Sequence, residues 1–131
     1  MAVNKYDDIK IFKIISYLGL WIVGLFVKQK NDKKLKFHVG QGIILSIYCV
    51  ASNLVKIIIT ELANSIFKYE YNILGIKTVV LHLNTMGKII VTTVSLVQVL
   101  SIILFAIIGI RNVLNDKQKE LPIIGRFSFY N

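Results

Sequence analysis

"IIVTTVSLVQVLSIILFAIIGI", residues 89 to 110, decides the fold. Its 22 residues carry no charge and no proline. At about 1.5 Å per residue a helix of this length spans roughly 33 Å, enough to cross the hydrocarbon of a bilayer. Two further apolar runs precede it. "IFKIISYLGLWIVGLFV" covers 11–27, and a second begins at Gly42 and continues to Leu62, broken by Ser46, Ser52, Asn53, Lys56, Thr60 and Glu61. Of the 131 residues, 55% are hydrophobic, with a mean hydropathy of +0.65, and the excess sits in these runs. That distribution is the mark of membrane spans rather than of a soluble core. The fold class expected is an all-α integral membrane protein. It has three transmembrane helices, at about 10–27, 39–66 and 88–114, in one membrane domain over 1–131. The first run is read as retained, because its apolar stretch exceeds a signal core and no small-x-small cleavage site follows.

The segment 67–87 is the ambiguous one. Phe67, Tyr69 and Tyr71 suit a membrane interface, where an aromatic ring has one wet edge. Ile76, Val79, Val80, Leu83 and Met86 recur at helical spacing over "IKTVVLHLNTM". Eleven residues are too few to span, so the reading is a short amphipathic helix lying in the interface. The alternative is a fourth span, which would bury Lys77, His82, Asn84 and Lys88 at a high cost.

The net charge is +9. In a soluble domain that would suggest nucleic acid, but no basic residues here interleave with stacking aromatics, so no nucleic-acid partner is expected. The cations flank the spans and meet anionic lipid headgroups instead. With three spans, the lysine loop and the C-terminal tail share a side. They carry Lys28, Lys30, Lys33, Lys34, Lys36, Arg111, Lys117, Lys119 and Arg126. The other side carries Lys5, Lys10, Lys13, Lys68, Lys77 and Lys88. Nine against six favours the loop and the tail in the cytoplasm.

Polar residues inside the spans form stripes. Ser46, Cys49, Asn53, Lys56 and Thr60 are spaced 3, 4, 3 and 4, so they line one helix face. Thr92, Ser95, Gln98 and Ser101 repeat this on the third helix. Such stripes are expected to face each other, since membrane helices pack through small and polar residues. Lys56 either snorkels to an interface or meets a carboxylate on a partner. Cys49, the one cysteine, is a small packing residue. No phosphate loop, zinc helix, nucleophile elbow or paired intramembrane aspartates occur, so neither catalysis nor a cofactor or metal is expected.

"LKFHVGQG", 35–42, and "IIGIRNVLNDKQKELPIIG", 107–125, together resemble a family. The first is similar to the Phe-His-x-x-Gln motif of small bacterial membrane proteins related to the chloroplast inner-envelope protein-import component. The second resembles that family's ending, a helix finishing in Gly-Ile, then a polar stretch and an apolar-Pro…Gly turn. "SYLGLWIVGLFVKQKND", 16–32, fits its first helix. The resemblance implies a small helical membrane architecture, with Phe37, His38, Gln41, Gly42, Gly109, Leu121, Pro122 and Gly125 as its structural motif. Segment 64–88 falls outside it, and the chloroplast relative has four spans.

His38 and Gln41 are read as a clasp at the start of the second helix, holding the lysine loop against the "ELPIIG" turn. The function expected is a non-enzymatic accessory or scaffold subunit of a membrane transport or translocation complex in the bacterial plasma membrane. Its partner would be another membrane protein or copies of itself. The alternatives are an immunity factor against a membrane-active toxin and an oligomeric channel or carrier.

Overall fold

A computed structural model describes residues 5–26, 31–73, 76–83 and 85–127. Lys28 and Lys30 of the lysine loop, the last four residues of the tail and the tip of segment 67–87 lie outside these. The elements run α1 (Lys5–Ile15), a π-type turn (Ser16–Leu20), α2 (Trp21–Phe26), α3 (Lys33–Ile66), β1 (Lys68–Ile73), β2 (Ile76–Leu83), α4 (Thr85–Leu114) and a 3₁₀ turn (Gly125–Phe127). Three helical stretches, Asp7–Phe26, Lys33–Ile66 and Thr85–Leu114, are long and apolar enough to cross a membrane. Only 22%, 17% and 11% of their most apolar windows is buried within the chain, so most of that apolar surface needs a non-aqueous neighbour.

The first of these stretches is broken, although no proline interrupts it. Ser16 Oγ donates to the Phe12 carbonyl at 2.8 Å, a back-bond that bends helices. Leu18 then leaves helical geometry, and Gly19 takes φ +83°, a left-handed turn that glycine adopts without a Cβ penalty. The second helix starts earlier than expected, at Lys33, because Asp32 caps it. Its Oδ1 accepts from the Leu35 amide at 2.8 Å. His38 and Gln41 therefore stand inside the helix and have no part in satisfying its first amides.

Segment 67–87 corrects the expected all-α class. It is no interfacial amphipathic helix and no fourth span. Lys68–Ile73 and Ile76–Leu83 pair as an antiparallel hairpin, with Tyr69 opposite Val80 and Asn72 opposite Lys77. The physical reason is in the residues. "KYEYNI" alternates polar and apolar with period 2, Ile76, Thr78, Val79 and Val80 are β-branched, and Leu74-Gly75 stands between them. The helical spacing of the apolar residues competed with these signals and lost.

Contacts divide the chain into two compact units, residues 1–50 with 101–131, and Ala51–Leu100. No composition shift in the sequence marks these boundaries, which fall inside α3 and α4. In the first unit a core forms from Tyr17, Leu45, Phe105, Val113 and Leu121, with Tyr48 edge-on to Phe105 at 5.3 Å. In the second, Ala63 and Gly87 are buried, while Leu54, Ile57, Ile58, Leu96, Val97 and Leu100 are exposed.

Candidate functional site

The first unit holds the site, a buried polar node. Ser16, Gln41 and His38 are 0%, 0% and 2% exposed, and Lys13 and Asn112 are buried too. Buried polar groups cost free energy unless they are hydrogen-bonded, so each partner matters.

Gln41 is held at both ends. Its Nε2 donates to the Gly125 carbonyl at 3.1 Å, and its Oε1 accepts from the Leu121 amide at 3.0 Å. The amide thus replaces a strand partner for the tail, taking one donor and one acceptor of the backbone out of an apolar surrounding. Leu121 is buried in the core and Pro122 is exposed. The Ile124 amide donates to the Pro122 carbonyl at 2.8 Å, closing a γ-turn around Ile123 at φ +68°. A β-branched residue in that region is strained. Gly125 is required beside it, since a Cβ there would lie 2.6 Å from Gln41 Oε1.

His38 turns the other way from the expected clasp. Its Nδ1 shares a hydrogen bond of 2.9 Å with the Tyr17 hydroxyl, on the broken stretch after α1. Phe37 packs edge-on against the His38 ring at 5.3 Å. Tyr17 in turn lies directly on Gly109, where a Cβ would run into the ring, and Gly42 meets the Ser16 carbonyl just as closely. Gly42 lets α3 approach the first helical stretch to backbone contact, and Gly109 lets the Tyr17 ring lie against α4, the close approach that small residues permit between membrane helices. Phe37, His38, Gln41, Gly42, Gly109, Leu121 and Gly125 are therefore brought together, while Pro122 stands at the edge.

Two residues that sequence reasoning passed over complete the node. The Lys34 ammonium donates to Asp116 Oδ2 at 2.7 Å on the surface, and this bond holds the Asp116 carboxyl below its ordinary range. Asn112 Nδ2 donates to the Lys119 carbonyl at 3.1 Å. Asp116, at φ +52°, ends α4 in a Schellman turn in which its own amide bonds Val113 and the Lys117 amide bonds Asn112. The Asn-Asp pair after an apolar run was the available signal, since Asn and Asp tolerate the left-handed turn that ends a helix.

The intramembrane stripe does not stay together. Ser46 accepts from Trp21 Nε1 at 2.9 Å, and with Cys49 it lines a crevice of about 300 Å³ beside Tyr17, Gly19 and Ile103. Asn53 is exposed, Lys56 is half-buried, and the Thr60 hydroxyl donates to its own helix at the Lys56 carbonyl. Ser95 likewise donates to the Val91 carbonyl. The polar contacts between α3 and α4 come from Tyr48 with Ser101 at 2.8 Å and from Gln98 donating to Ser52 at 3.2 Å. The α3 side of that seam is thus Tyr48 and Ser52, one position off the expected stripe.

Among the described residues, no group of three His, Cys, Asp or Glu side chains is placed to hold a metal ion. The node's chemistry is hydrogen bonding between secondary-structure elements. No family model, no curated protein and no solved structure matches this chain.

Proposed function

We propose that this chain is a multi-pass protein of a bacterial plasma membrane that works without catalysis, as an accessory or scaffold subunit of a transport or translocation complex. The observation that carries this reading is the contrast in how polar side chains are used. Gln41, His38, Ser46 and Tyr48 have partners inside the chain. Asn53 is exposed on an apolar helix, and Lys56 has no carboxylate partner among the described residues. A lysine within a membrane helix costs about 2.5–3.5 kcal/mol on insertion scales. A carboxylate on a neighbouring membrane protein would offset that cost and give the contact its specificity.

The resemblance of "FHVGQG" and "ELPIIG" to the import-component relatives supports the same reading. The lysine loop and the tail are proposed to be cytoplasmic, on the excess of cations there. Their placement on one side is supported by the Lys34–Asp116 bond and by the hold of Gln41 on the tail.

Lys56→Met tests the proposal. Met is long and apolar, so the chain should insert and fold as before, while co-purification from the native membrane should lose the partner, whose acid is left without its counter-ion. Unchanged partners in the variant would sink the counter-ion idea and leave Lys56 a snorkelling residue. Recovery of wild type with only copies of itself would favour an oligomeric channel.

A further inference from the structure

Where α4 leaves its uncharged run, the chain forms an open hollow of about 440 Å³. Asn112 and Asn115 line it together with apolar and charged residues. Ile108 and Pro122 are apolar; Arg111, Lys117 and Lys119 are cationic, against the single carboxylate of Glu120. Arg111 is the first charge after residues 89–110, so a membrane-crossing α4 sets this cavity at the depth of the headgroups. Among the described residues, no carboxylate pairs with Arg111, Lys117 or Lys119.

A helix C-terminus ordinarily repels an anion, because its last carbonyls carry partial negative charge. Here that charge is taken up. The carbonyls of Arg111, Asn112 and Val113 accept from the amides of Asn115, Lys117 and Asp116. The loop carrying the lysines is pinned by the Asn112 bond to the Lys119 carbonyl. The result is an open, cationic hollow whose exposed Arg111, Lys117 and Lys119 stand on a pinned loop beside an apolar wall.

We propose that this cavity binds the phosphate of one anionic phospholipid, with Arg111, Lys117 and Lys119 around the phosphate and Ile108 and Pro122 against the start of the lipid's acyl chains. The site rests on α4 crossing the membrane and is independent of the partner at Lys56. It gives the tail a second anchor beside Gln41, this one supplied by the bilayer.

The test is lipid binding by the full purified chain in phosphatidylcholine nanodiscs, titrated with phosphatidylglycerol and counted by native mass spectrometry. Lys117→Gln with Lys119→Gln should weaken the tightest phosphatidylglycerol site about thirtyfold, at about a factor of five for each cation near an anionic surface. Lys33→Gln with Arg126→Gln removes the same charge outside the cavity and should leave that site within about twofold. Melting in pure phosphatidylcholine verifies that both double variants fold. Equal weakening by the two pairs would overturn the proposal in favour of diffuse attraction. Inorganic phosphate that displaces the lipid at equal concentration would overturn the lipid as occupant, since the apolar wall would then contribute nothing.

Discussion

Residues 1–50 with 101–131, and residues 51–100, use the same amino-acid types for opposite ends. In the first unit buried and half-buried polar side chains tie different elements together, Gln41 to the tail, His38 to Tyr17, Trp21 to Ser46 and Tyr48 to Ser101, while Ser16 bonds back four residues. In the second, Thr60, Ser65 and Ser95 donate to carbonyls four residues back on their own helix, and Gln98 donates to Ser52 between α4 and α3. Polar residues in a helix that faces lipid satisfy themselves locally; the same residues in a core define which element packs where. Tertiary specificity is thus concentrated in the unit where the lysine loop and the tail meet.

This contrast predicts where substitutions cost most. Gln41→Ala should be the most damaging, because it leaves the Leu121 amide and the Gly125 carbonyl buried without partners, at about 1–3 kcal/mol each. Reversible unfolding in mild detergent measures it, and a loss below about 1 kcal/mol would mean that the tail is held by other contacts. Gly109→Ala should follow at about 1–3 kcal/mol, since the new methyl meets the Tyr17 ring in a packed contact. The same change at Gly87, which is buried in the second unit, gives the comparison, and an equal cost there would break the contrast.

Tyr17→Phe and His38→Ala come next. Each removes one side of a single buried bond, so the double variant should cost less than the sum of the two, with a coupling of about 0.5–3 kcal/mol. Strict additivity would show that the pair contributes packing alone. The smallest effect belongs to Asp116→Asn, on the exposed end of the node. The Lys34 bond lowers the Asp116 carboxyl below its ordinary value. A depressed folded-state value means that the contribution is present above the unfolded value and is lost as pH falls through the folded one. Melting of wild type and Asp116→Asn should therefore differ slightly at neutral pH and converge as the pH falls through the lowered Asp116 value. A gap that persists in acid would assign the effect to the left-handed backbone at Asp116 rather than to its charge.

How much was legible follows the same division. The three long helices were readable within a few residues at most ends, because an uncharged run such as 89–110 leaves the backbone no partner but itself. The exception is the break at Leu18–Gly19, where the apolar run continues unchanged and only a serine back-bond and one glycine alter the path. The hairpin at 68–83 was missed because short apolar spacings fit a helix and a strand alike, and the alternation of "KYEYNI" had to arbitrate. Of the motif residues, Gln41 and Gly125 were flagged together through the resemblance. That Gln41 spans two backbone groups of one turn was not readable from 35–42 alone.

What the sequence by itself determined is therefore local: apolar length, charge at the ends of the runs, and the residue types able to pair. Which polar residue meets which was decided only by the tertiary structure. Ser46, Cys49, Asn53, Lys56 and Thr60 share one helix face by spacing, yet the first two enter a packed unit and Asn53 is exposed. Periodicity sets the direction of a side chain around its own helix. Only the neighbours, and the glycines that set how close they come, decide whether that direction leads to a partner.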